Sequence, residues 1–237
     1  MLVRLHSLEK VASLRAAGHR AEAEIACRAL VASNPGNPDA LWLLGALCHE
    51  SDRVGEARVM LGRAVSAAEA AGLAPPLEWR LTLGSIQQQC GELRQALETF
   101  TVAAKEHPGS GEAHFCQATA FQSLDRAEEA IAEYRLALER DPDNASAANN
   151  LGILLRDRGQ LGAAERAFRR ALRTRPGFGD AQANYGSLLQ KAGRFAQAHR
   201  YLLSAASRAP DDMGLQRVLA QNEIYIGDVP AAAARLE

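Results

Sequence analysis

The chain has 237 residues, 27 basic and 28 acidic, and a formal net charge of −1. This balance supplies no overall field for nucleic acid or for an anionic membrane surface. No apolar run approaches the ~18 residues that a bilayer span requires, and the start Met1-Leu2-Val3-Arg4-Leu5-His6 has no signal-peptide core. A cytoplasmic protein with no membrane insertion and no nucleic-acid partner is expected. Only Lys10, Lys105 and Lys191 among the basic residues are not Arg, and the heavy use of Arg and Ala points to a GC-rich bacterial genome.

One alanine column runs through Ala57, Ala96, Ala130, Ala164, Ala198 and Ala232, in steps of 34 residues after a first step of 39. A fixed period of this length marks one supersecondary unit stacked on copies of itself. A turn column contains Gly18, Asp52, Gly91, Asp125, Gly159, Gly193 and Gly227, residue types that tolerate the left-handed conformation ending a helix. A second breaker column holds Pro35, Pro108, Pro142, Pro176 and Pro210, which cannot continue a helix. Between the breakers the chain is rich in good helix formers, and each unit reads as helix, turn, helix, turn. A small-residue column (Gly45, Gly84, Ala118, Gly152, Gly186, Ala220) predicts close helix approach, and a large-residue column (Leu61, Phe100, Tyr134, Phe168, Leu202) fills the gap.

In chain order the units run 4–37, 38–76, 77–110, 111–144, 145–178, 179–212 and 213–237, within a single domain spanning 1–237. The first is degenerate, with Lys10 at an apolar column, and reads as a true repeat or as a capping helix pair. The second carries five extra residues, and Gly72-Leu73-Ala74-Pro75-Pro76 reads as a longer connection after an extended helix. The last stops inside its second helix at Leu236-Glu237, which points to a trimmed chain whose parent continues beyond residue 237. The open end leaves Leu219, Ile224 and Ile226 exposed, so a homodimer through terminal repeats is one expectation.

These columns (Leu-Gly in the first helix, Gly at the turn, Ala-aromatic-Ala in the second helix, a closing Pro) resemble the tetratricopeptide repeat over nearly the whole chain. The resemblance implies an all-α fold, a right-handed α-solenoid of antiparallel helix pairs with about six to seven repeats. It also implies that first helices line a concave groove in which extended peptides or partner helices lie. Carried onto this sequence, the groove rows are Trp42, Leu81, Phe115, Asn149, Ala183 and Arg217, then Leu43, Thr82, Cys116, Asn150, Asn184 and Val218, with Gln122 and Arg156 one turn further on. Stacked helices ~8–10 Å apart and an extended chain at ~3.3 Å per residue give room for roughly 15–18 peptide residues.

Trp42, Leu81 and Phe115 form one end of that surface, an exposed apolar stripe of the kind that marks interaction sites or, alternatively, side chains folded between helices as core. Asn149, Asn150 and Asn184 form the other. Asn is unfavourable inside a helix, and a side-chain amide both donates and accepts, so it can hold a peptide backbone without reading its sequence. The pair Asn150 and Asn184 is similar to the asparagine row in the repeat region of the O-linked N-acetylglucosamine transferases, although Thr82 and Cys116 break the row.

No phosphate loop, nucleophile elbow or histidine pair with metal-ligand spacing is present in the sequence. No cofactor, no metal and no catalytic residue are expected. Cys27, Cys48, Cys90 and Cys116 lack paired spacing and read as thiols in a reducing compartment, Cys27 and Cys48 in core columns. Repeat 111–144 carries eight acids against three Arg, and repeat 145–178 seven Arg against two acids, which predicts either mutual neutralisation or an Arg patch for an anionic partner. The reading that follows is a protein–protein interaction scaffold, not an enzyme, binding a protein or peptide in its groove. The alternative is the substrate-recruiting arm of a larger glycosyltransferase or sulfotransferase.

Overall fold

The structure, a computed structural model, describes the backbone of residues 2–236 and the side chains of residues 8–235. Among the described residues there are fourteen α-helices and no strand. They group into two compact units, Met1–Gly109 with Thr119–Asp125, and Ser110–Ala118 with Arg126–Glu237. The division passes through α7 (Gly111–Ser123), so each unit is described by itself.

The first unit contains α1 (Leu2–Ala16), α2 (Arg20–Ser33), α3 (Pro38–Glu50), α4 (Val54–Ala70), α5 (Leu77–Gln89) and α6 (Leu93–Glu106), with the last residues of α7. The second contains the start of α7, then α8 (Ala127–Arg140), α9 (Ala145–Asp157), α10 (Leu161–Thr174), α11 (Gly179–Lys191), α12 (Phe195–Ala206), α13 (Met213–Tyr225) and α14 (Val229–Leu236). From α3 onward the odd-numbered helices start at 38, 77, 111, 145, 179 and 213, the residues at which the periodicity opens its units. The inserted residues lengthen α4 to 17 residues and then form the connection into α5.

The turn column sets the ends of the first helices. All seven of its members have positive φ, from 58° at Asp125 to 88° at Gly227. Five are glycines, for which that conformation carries no Cβ penalty, and Asp52 and Asp125 are the short polar residues that accept it next most readily. The first helices α3, α9 and α13 open on a side-chain cap, from Asn37, Asn144 and Asp212 to the backbone N–H three residues on.

Packing within each hairpin follows the small-to-large pairing. A Cβ at Gly45 would lie 2.6 Å from Leu61, one at Gly84 2.5 Å from Phe100, one at Gly152 2.6 Å from Phe168 and one at Gly186 2.7 Å from Leu202. The absent side chain at each glycine is therefore what lets the second helix seat its large residue, and Leu61, Phe100, Phe168 and Leu202 are fully buried. Cys27 and Cys48 are buried as well. The Cys27 thiol donates to the carbonyl of Ala40 at 3.2 Å, and burial pushes it up to about 11.

Stacking within a unit has one plan. In the second unit α9 touches α11 and α11 touches α13, while α8, α10 and α12 each touch the first helix of the following hairpin. First helices therefore adjoin one another as a layer, and second helices cover it. At the terminal hairpin the expectation for Leu219 is corrected. It is fully buried, because α14 packs back on α13, whereas Ile224 and Ile226 are exposed. That packing is held by Arg235, whose guanidinium donates to the buried Glu223 carboxylate at 2.7 Å and to Gln216 at 2.9 Å.

Candidate functional site

In the second unit, α9 and α11 carry a connected run of amides. Asn184 donates from Nδ2 to Oδ1 of Asn149 at 3.1 Å. Asn149 donates to Oδ1 of Asn150 at 3.3 Å, and Asn150 donates to the phenolic oxygen of Tyr134 on α8 at 3.1 Å. Arg156 reaches Oδ1 of Asn184 at 3.5 Å and also donates to Asp157 at 2.9 Å. Phe115 on α7 meets the Tyr134 ring at a centroid distance of 5.9 Å and an interplanar angle of 52°, a tilted aromatic pair. Phe115, Asn149, Asn150, Asn184 and Arg156 are thus tied together through Tyr134.

The link runs diagonally. The in-register pair is Asn150 with Asn184, yet Asn184 bonds to Asn149. One residue back is ~100° around the helix, which turns Asn149 into the α9–α11 seam, where it is 4% exposed. Asn150 and Asn184 remain half-buried. An amide group offers two N–H donors and two acceptor lone pairs. Asn150 and Asn184 each spend one donor and one acceptor on neighbours. Each keeps one of each, the complement that an extended peptide backbone presents.

Tyr134 was legible in the sequence only as a member of the large-residue column. Its ring is fully buried, and burial pushes the phenol up to about 12 despite the bond from Asn150. The spacing signal was the repeat of Asn one hairpin after a tyrosine that could reach it, and a core assignment hid it.

The remaining expected residues lie in the first unit. Trp42 on α3 is half-buried and stacks on Trp79 of α5, with ring centroids 4.9 Å apart and planes within 10°. Leu81 is 7% exposed. Gln122 is half-buried on the last turn of α7. Of the two readings of the apolar stripe, Leu81 follows the second. Leu81 is part of the seam between helices, and Trp42 turns one face to a second tryptophan that the groove rows did not include. In the same unit, Arg80 is buried and its guanidinium pairs with Glu69 at 3.0 Å and Glu106 at 2.8 Å, an ion pair that joins α5 to α4 and α6.

No three His, Cys, Asp or Glu side chains among the described residues lie close enough to hold a metal ion. No described helix is long and apolar enough to cross a membrane. His114 on α7 pairs with Glu133 of α8 at 2.7 Å.

Sequence profiles described as tetratricopeptide repeat match residues 8–75, 81–145 and 117–179, and a further one matches residues 155–222. The chain belongs to the tetratricopeptide repeat family. Its fold is also that of solved structures of this class. PilF of Pseudomonas aeruginosa is 13% identical, covers 92% of this chain and 97% of its own, and superposes with a TM-score of 0.75. YrrB, described as a TPR protein with an unusual peptide-binding site, is 17% identical over 74% of this chain and 88% of its own, at a TM-score of 0.66. MamA is 20% identical over 72% and 90%, at 0.62. At such identities the likeness is one of fold. No curated protein matches the chain significantly. In tetratricopeptide terms the amide run sits on first helices, and the small and large columns are the scaffold beneath it.

Proposed function

We propose that this tetratricopeptide chain is a protein-interaction scaffold that binds an extended polypeptide along its layer of first helices. The observation that carries this reading is the half-filled amide run. Asn150 and Asn184 are fixed by their neighbours and each keeps one donor and one acceptor. A ligand backbone meets them without the rotamer cost that a free side chain would incur. Phe115 and Trp42 supply aromatic surface of the kind that anchors interfaces. Membership of a family that includes YrrB, whose description states that it binds a peptide, supports the same reading. Buried thiols at Cys27 and Cys48 support a reducing compartment.

The test is a peptide array followed by titration of the best peptide into the wild type, Asn150→Ala/Asn184→Ala and Trp42→Ala/Phe115→Ala. The amide variant is expected to lose about tenfold or more in affinity, since a pair of backbone hydrogen bonds contributes on the order of 1–3 kcal/mol. Unchanged affinity in both double variants would remove the first-helix layer as the binding surface.

A further inference from the structure

The second-helix side of the second unit carries a separate feature. Arg166, Arg169, Arg170 and Arg173 of α10, with Leu172, Tyr185 of α11 and Tyr201 of α12, line an open recess of about 630 Å³. Charge neutralisation by the preceding repeat, one of the two expectations for these arginines, reaches only Arg158, which pairs with Glu128. Arg170 donates to the carbonyls of Leu138 and Pro142 and so closes the end of α8. Arg175 lies over the Phe178 ring at 3.7 Å. Arg166, Arg169 and Arg173 are exposed and make no hydrogen bond or ion pair with any described residue.

Four guanidiniums spaced three and four residues apart on one helix repel one another by a few tenths of a kcal/mol per pair. Placing Arg170 and Arg173 in the last turns is favourable for the helix dipole, but that does not account for Arg166 or Arg169. The neighbouring carboxylate is already engaged: Glu165 accepts from Tyr185 at 2.9 Å and from Arg194 at 2.9 Å. Burial pushes the Glu165 carboxyl up, and the bonds from Arg194 and Tyr185, with the charges of Arg194 and Arg169, outweigh it and hold the group low. Tyr185 and Tyr201 rings, 4.8 Å apart, add an apolar wall beside the charges.

We propose that this recess binds an acidic stretch of a partner polypeptide, with carboxylates meeting Arg166, Arg169 and Arg173. Arg166 and Arg173 lie ~10 Å apart along the helix axis, close to the ~9 Å between carboxylates three residues apart on one face of a polyproline-II segment. A guanidinium is the side chain best shaped for carboxylates. The glutamates of α8, Glu128, Glu129, Glu133 and Glu139, carry the opposite charge on the adjoining hairpin and favour a short acidic segment over a long polyanion such as nucleic acid. This proposal uses other residues than the amide run and stands without it.

The test is calorimetric titration of octaglutamate into the intact chain at about 50 mM salt, where surface charges are weakly screened. Binding is expected in the wild type and in Arg94→Glu (an exposed arginine on α6 in the first unit). Arg166→Glu/Arg173→Glu is expected to weaken it at least about tenfold, with Arg166→Gln/Arg173→Gln in between. All three positions altered in these variants, Arg94, Arg166 and Arg173, are exposed, and circular dichroism verifies the helices. The proposal is overturned if octaglutamate does not bind the wild type, if charge reversal leaves affinity unchanged, or if a single-stranded oligonucleotide of equal charge binds more tightly.

Discussion

The two units solve one packing problem and then diverge at a single column. Leu81 on α5 and Asn149 on α9 occupy equivalent positions of their repeats and are 7% and 4% exposed. In the first unit that column is apolar, beside a tryptophan pair and the buried Arg80. In the second, at Asn149, it is an amide bonded to amides on either side. The hairpins beneath are alike, since Gly84 receives Phe100 as Gly152 receives Phe168. The scaffold columns thus fix the fold, and the first-helix positions are left to vary with whatever each unit must meet.

The largest expected effect tests the shared part. Phe100→Ala and Phe168→Ala each remove a fully buried ring seated over a glycine. Each is expected to cost about 3–5 kcal/mol, read from denaturant midpoints. Similar losses in the two units support a common scaffold, and a difference larger than about 2 kcal/mol would break the comparison.

An exchange at the divergent column sharpens it. Leu81→Asn buries an amide with no arranged partner and removes apolar contact, at an expected cost of about 2–4 kcal/mol. Asn149→Leu leaves its former partners Asn150 and Asn184 half-buried, where water can reach them. It is expected to stay within about 1 kcal/mol of wild type. Equal costs for the two would show that the column is equally demanding in both units.

A smaller effect is alkaline. The folded Tyr134 phenol sits at about 12 because it is buried, against ~10 in an unfolded chain. The stabilisation is fully present below pH ~10 and is lost as the pH rises from there toward 12. The loss from this phenol is expected to be on the order of 2 kcal/mol and falls in the second unit, which holds every tyrosine of the chain. Tyr134→Phe should remove the share of Tyr134 and leave that of Tyr185, whose phenol burial and the bond to Glu165 also push up to about 12; an unchanged alkaline profile in that variant would assign the loss elsewhere.

Much of the fold was legible because its determinants are local. Positive φ demands Gly or Asp at Gly18 through Gly227, and a hairpin that brings Gly152 against Phe168 has no substitute for a residue without a Cβ. The site was less so. The sequence put Asn149, Asn150 and Asn184 on the right helices, but hydrogen-bond partners depend on which way each residue turns around its helix. That set Asn184 against Asn149 and brought in Tyr134. Burial of Leu219 was missed for a related reason: exposure at an edge depends on the neighbouring helix, here α14.

The stacked pair of Trp42 and Trp79 has a practical consequence. Both tryptophans of the chain belong to the first unit, and all four tyrosines to the second. Indole emission excited at its red edge reports on one unit and phenol absorbance on the other, with no label attached. Two stacked, near-parallel indoles in van der Waals range also couple their electronic transitions, so a split circular-dichroism band should vanish when α3 and α5 part. The chain therefore carries its own pair of optical gauges for asking whether its two halves melt together or one after the other.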